Sequence, residues 1–101
     1  MSVALGNAAR LREMLRHYEN SLGLKELTAF ERDVLYAFQL VQDAARPVGP
    51  ISSEEVKRYH SLEGMAHATY HRAVKGLVEK GFLVNATYGK YSIRETAQEA
   101  K

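Results

Sequence analysis

The chain contains no cysteine, which excludes disulfides, thiolate metal sites and cysteine nucleophiles together and is compatible with a reducing compartment. Its two prolines, Pro47 and Pro50, lie in one short stretch, so only one strong helix breaker of this kind is present. No apolar run approaches membrane-spanning length, and the N-terminus lacks the basic start and long apolar segment of a signal peptide. A soluble, cytoplasmic protein without a membrane partner is expected. The sequence also lacks a glycine-rich phosphate loop, a metal triad and a nucleophile paired with a base. We therefore expect no enzymatic activity, no cofactor, no metal and no small-molecule ligand.

What is present fits one globular domain. The 101 residues allow a single modest core, and 46% hydrophobic with 26% charged residues is ordinary for a folded protein. Net charge is only +2, but its distribution is uneven: residues 1–50 hold six Lys/Arg and six Asp/Glu, whereas residues 57–94 hold seven Lys/Arg against Glu63 and Glu79. A basic patch confined to one half is what a polyanion-binding face requires, although a merely solvated surface has the same composition.

The most informative stretch within that half runs from Gly64 to Gly81. Met65, Tyr70, Ala73, Val74, Leu77 and Val78 recur at helical spacing, while His67, Thr69, His71, Arg72 and Lys75 fall on the opposite side. The pattern predicts an amphipathic helix over 65–80, with Gly81 suited to the left-handed position that ends it.

Taken in order, residues 3–22 read as a first helix whose seam, Ala4, Ala8, Leu11, Leu15, Tyr18 and Leu22, alternates steps of four and three. This seam is narrower than the stripe that buries a helix in its own domain. It suits either packing across helices two and three or pairing with the same helix of a second copy. Arg10, Arg12, Glu13, Arg16 and Glu19 flank it, which favours pairing. The capping box Thr28-Ala29-Phe30-Glu31 opens a second helix to about Ala45, with Phe30, Val34, Ala37, Phe38, Val41 and Ala45 inward and Leu35 and Leu40 on the flanks. The prolines end it, Val48 and Ile51 leave room for a very short edge strand, and Ser52-Ser53-Glu54-Glu55 starts a short helix to about His60. Leu62 is expected to fill the angle before the next helix. Beyond Gly81, the runs 82–87 and 90–94 change to extended period and read as a hairpin, with Tyr91 and Ile93 inward and Lys90, Ser92 and Arg94 outward. Over Glu95–Lys101 partial disorder is expected, with a frayed turn of helix at most.

The expected fold is thus α+β and mostly helical: an N-terminal helix (1–23), a winged helix-turn-helix unit (24–97) with a C-terminal β-hairpin wing, and a tail (98–101). At Leu27–Leu35, at Thr69–Leu83 with its "Leu-x-x-Lys-Gly" helix end, and at Tyr91–Thr96, the sequence resembles the winged-helix transcriptional regulators, and among them the MarR-type group. The resemblance implies sequence-specific binding of double-stranded DNA, with the helix at 65–80 in the major groove and the wing at 82–94 on the backbone. It implies a cytoplasmic, nucleoid-associated homodimer. Carried over by position, His67, Ala68, Thr69, His71 and Arg72 would lie near base edges, Lys75 near phosphate, and Tyr88 and Lys90 at the wing. The wing is short, and its tip, Thr87-Tyr88-Gly89, lacks the family's usual arginine. The long C-terminal helices that carry dimerisation in larger members have no counterpart before Lys101, which leaves the first helix for that task.

Chemistry assigns roles within that set. Arg72 is suited to the two acceptors of a guanine edge. Lys75, Lys90 and Arg94 are suited to phosphate, which positions the protein and makes binding salt-dependent. Ser52 and Ser53 stand at a helix start, where they could serve phosphate binding or capping alone. His67 and His71 are four residues apart, but too few neighbouring ligands accompany them for zinc. Two other readings compete: a winged-helix protein-interaction module in a larger assembly, and a sequence-independent architectural or replication-associated DNA binder.

Overall fold

The computed structural model describes residues 2–45 and 49–94. Four helices, α1 (Val3–Ser21), α2 (Ala29–Ala45), α3 (Ser53–Lys57) and α4 (His67–Glu79), are joined by 3-10 turns at Leu24–Glu26 and His60–Leu62. Three strands, β1 (Ile51–Ser52), β2 (Leu83–Thr87) and β3 (Lys90–Ile93), form an antiparallel sheet in the order β1-β3-β2. The protein is therefore α+β and mostly helical, with its small sheet built mainly after the helices. Val48 and the expected C-terminal turn lie outside the described residues.

The capping box at the start of α2 forms in both directions. Thr28 N–H donates to Glu31 Oε1 at 2.9 Å, and Glu31 N–H donates to Thr28 Oγ1 at 3.1 Å. Each bond satisfies an amide that the helix itself leaves free. From there α2 buries Val34, Leu35, Ala37, Phe38 and Val41. Phe30 departs from the expected pattern: its spacing places it on the apolar side, yet it is 55% exposed, standing beside Thr69, Arg72 and Ala73 at the flank of α4 rather than beneath it.

The face of α4 closes over α2 with Tyr70, Ala73, Val74 and Leu77 buried. Leu62, Val56, Ile51 and Leu83 complete the interior, and Phe38 meets Tyr91 edge to face at 6.2 Å between ring centroids. Tyr91 and Ile93 pack against this core as half-buried residues. The helix begins at His67, two residues later than the periodicity implies, because Ala66 remains extended. At its other end, Gly81 has φ 87°, a conformation that a side chain would strain. Gly81 N–H donates to Val78 O at 3.1 Å and Phe82 N–H to Leu77 O at 2.9 Å, a Schellman closure that turns the chain directly into β2.

The two helices are also locked through polar groups. Lys80 Nζ donates to Glu31 Oε1 at 2.7 Å, so the capping carboxylate of α2 also holds the C-terminal end of α4. Burial alone would raise the Glu31 pKa; the Lys80 ammonium, with the backbone N–H and the hydroxyl of Thr28, outweighs it and holds the carboxyl below its ordinary value.

Packing of α1 across the second and third helices does not occur. No residue of α1 is buried, and Leu11, Leu15, Tyr18 and Leu22 are 63%, 46%, 62% and 40% exposed. Its C-terminal end is tied to the body by Tyr36 Oη, which donates to Glu19 Oε2 at 2.7 Å. The Cα radius of gyration, 14.7 Å, exceeds the approximately 13 Å of a compact chain this long, in keeping with a helix that stands off the body.

Candidate nucleic-acid interface

The apolar side of α4 is committed to the core, so its other side must face out. His67, Ala68, His71, Arg72 and Lys75 are exposed, and Thr69 is half-buried. No side chain caps the N-terminus of α4. Its first amides therefore remain available beside His67 and Ala68.

A second element fixes how this face is presented. Tyr70, on the buried side, donates its hydroxyl to Ser53 O at 2.7 Å, while Ser53 N–H donates to Gly89 O at 2.9 Å. One residue thus links α4, the start of α3 and the hairpin turn. Burial and the nearby Glu54 and Tyr91 raise the Tyr70 phenol well above its ordinary pKa, so it remains a donor at any working pH. Ser53 itself is buried, contrary to a surface role at the helix start, because the sheet and Tyr70 enclose it. Ser52 is half-buried and caps α3, its Oγ accepting from Glu54 N–H at 3.2 Å.

The hairpin brings its turn next to α4. Ser52, Glu54, His71, Asn85, Tyr88 and Lys90 are among the residues lining one shallow depression between them. Tyr88 is fully exposed, and Lys90 is exposed at the register position opposite Ser52 and Thr87. Asn85 supports the turn by donating to Thr87 O at 3.2 Å. A second depression, on the other flank of α4, is lined by Thr69 and Arg72 with Thr28, Phe30, Glu31 and Ala73. Arg94 does not join this surface. It lies at the root of the hairpin, around an apolar cavity with Leu22, Leu24, Leu35, Tyr36 and Phe82.

No family model, curated protein or solved structure matches this chain.

The outer face of α4 therefore meets the turn of the hairpin at His71, bringing together residues distant in sequence. The exposed cations on the two elements are Arg72 and Lys75 on α4 and Lys90 on the hairpin, with Glu54 as an acidic neighbour of the turn. Sequence reasoning missed Lys57, whose Nζ lies 2.5 Å from His67 Nδ1. An ammonium can only donate, so Nδ1 is the accepting side of that contact. The missing signal was tertiary, because ten residues and a turn separate the pair. His67 and His71 stack edge to face at 4.2 Å, but no group of three or more His, Cys, Asp or Glu capable of holding a metal occurs among the described residues. No described helix is long and apolar enough to cross a membrane.

Proposed function

We propose that this chain is a small winged helix-turn-helix transcriptional regulator, resembling the MarR-type group, that binds double-stranded DNA sequence-specifically as a homodimer without catalysing a reaction. The observation that carries this reading is the pairing of an outward polar face on α4 with a hairpin turn beside it, both held by the Tyr70–Ser53–Gly89 linkage. A helix of 13 residues with its core side fully occupied presents an edge narrow enough for the major groove. Arg72 would read a guanine edge and Lys75 would meet the backbone. His67, Ala68, His71 and the half-buried Thr69 would supply the remaining contacts near the bases.

The hairpin turn would place Lys90 and Tyr88 on the phosphate backbone. Its lack of an arginine leaves it a positioning element rather than a minor-groove reader. Ser52, capping α3 on the same side, is near enough to contribute a hydroxyl to a phosphate. Arg94, at the far end of the hairpin, is not part of the proposed surface. Together these features give few cations and hence a modest electrostatic component.

A salt titration of duplex binding, followed by fluorescence anisotropy, tests this reading. Affinity should fall linearly on logarithmic axes, with a slope set by the few phosphates engaged. Absence of duplex binding at low salt would favour a protein-interaction module instead. Equal affinity for all duplexes would favour a sequence-independent binder.

A further inference from the structure

From the composition of the α1 seam we infer that two copies of this chain pair through α1 in antiparallel orientation, about a two-fold axis at residue 13. This inference rests on the homodimer reading above and specifies its geometry.

The seam is strongly graded in size. Ala4 and Ala8 occupy one end, Leu11 and Leu15 the middle, and Tyr18 and Leu22 the other end. Parallel pairing would place each residue against its own copy, leaving two layers of alanine at one end and Tyr18 against Tyr18 at the other. Such a seam splays, because helices held apart by tyrosine cannot close on alanine. Antiparallel pairing places Ala4 against Leu22, Ala8 against Tyr18 and Leu11 against Leu15. The six seam positions are symmetric about residue 13, so every layer then pairs small with large or leucine with leucine.

The exposed surface supports this arrangement. Leu11, Met14, Leu15 and Tyr18 are 63%, 54%, 46% and 62% exposed, and Leu22, the C-cap of α1, keeps 40% exposure although it also borders the cavity against the body. Two copies of that set present on the order of 1,000 Å² of apolar side chain, the minimum for a specific interface. On one flank Met14 meets its own copy near the axis and widens the apolar contact. On the other flank Arg12 approaches its own copy, a like-charge meeting at the solvent edge where salt screens it. Residues 3–14 carry no buried side chain, so the N-terminal half of α1 leaves room for the partner's body. The two DNA-facing units then lie at opposite ends of the helix pair.

The native absence of cysteine makes the orientation directly testable. Ala4→Cys and Leu22→Cys chains are oxidised separately and as a mixture. With antiparallel pairing, residue 4 lies about 27 Å along the axis from its own copy and beside residue 22 of the partner. A disulfide requires Cα atoms within about 7 Å. Only the mixture should therefore cross-link, and Ala8→Cys with Tyr18→Cys should behave alike, as a second pair away from the fraying terminus. Cross-linking of each variant with itself would overturn the orientation. A wild type that sediments as a monomer at tens of micromolar would overturn the pairing itself, leaving DNA binding to be judged by the salt titration. A dimer that survives Leu11→Asp with Leu15→Asp would place the interface elsewhere and overturn the inference as well.

Discussion

Gly76 lies within α4, three residues before its end, where alanine would ordinarily stabilise a helix by about 0.5–1 kcal/mol. Here the opposite is expected. A Cβ on Gly76 would stand 2.1 Å from Glu31 Oε2 and 3.1 Å from Glu31 Cδ. The carboxylate as a whole would have to retreat, withdrawing Oε1 from Lys80 Nζ at 2.7 Å and from Thr28 N–H at 2.9 Å. Hydrogen bonds to a charged group contribute about 1.5–3 kcal/mol each, less where one partner is solvated. Lys80 is 37% exposed, so its share is discounted towards the value of a surface pair. Losing the pair should cost roughly 2–3 kcal/mol, against a propensity gain of at most about 1 kcal/mol. Gly76→Ala should therefore destabilise by about 1–2 kcal/mol, lowering the Tm by several degrees in a domain of this size. In an Glu31→Ala background the obstruction is gone, and the same substitution should stabilise by about 0.5–1 kcal/mol. Urea denaturation of the four proteins, read by circular dichroism, measures this change of sign. Stabilisation by Gly76→Ala in the wild-type background, or the same effect in both, would refute the obstruction.

The Glu31 carboxyl is held below its ordinary pKa, so the stability it confers is present at neutral pH and is lost as pH falls through the ordinary carboxylate range towards the lowered value. Glu31→Gln should accordingly lose less stability than wild type between pH 6 and pH 3, and parallel curves would exclude a role for this ionisation. Tyr70→Phe removes the hydroxyl that meets Ser53 O and leaves that buried carbonyl without this donor, which should cost about 1–3 kcal/mol in denaturant. It should also weaken duplex binding by loosening the hairpin turn against α4, so unchanged affinity at full folding would separate the linkage from binding. Arg72→Ala should relax base preference at one position at a cost of about 1–3 kcal/mol, whereas Lys90→Ala should weaken all duplexes alike and reduce the salt slope by about one. Identical behaviour would contradict this division of roles.

Much of the fold was legible because its signals are local. The capping box Thr28–Glu31 fixes the start of α2 within four residues, and Gly81 fixes the end of α4 within one. The period change after Gly81 is similarly short-range, and the expected hairpin is observed in register Leu83 with Ile93. What could not be read depends on contacts between distant segments. Phe30 obeys the helical period yet lies outside the core, because periodicity gives a direction and not the extent of the packed neighbour. Ser53 belongs to a polar, cap-like stretch, but the hairpin and Tyr70 enclose it from 36 and 17 residues away. Arg94 alternates outward as period two requires, although outward at the root of the hairpin is not the side that α4 occupies. Glu31 was identifiable as a cap, while its second bond to Lys80, 49 residues on, was not. The surface of α4 lies between these cases: its residues were identifiable from spacing, but their proximity to the hairpin turn required the fold.

Selection of bound sequences from a random duplex pool tests the central proposal most directly. An enriched inverted repeat is expected, its half-sites about 10–10.5 base pairs apart or a multiple of this, as a two-fold dimer with one helix per major groove requires. A pool that remains unenriched through successive rounds, with the protein folded and at low salt, would contradict it.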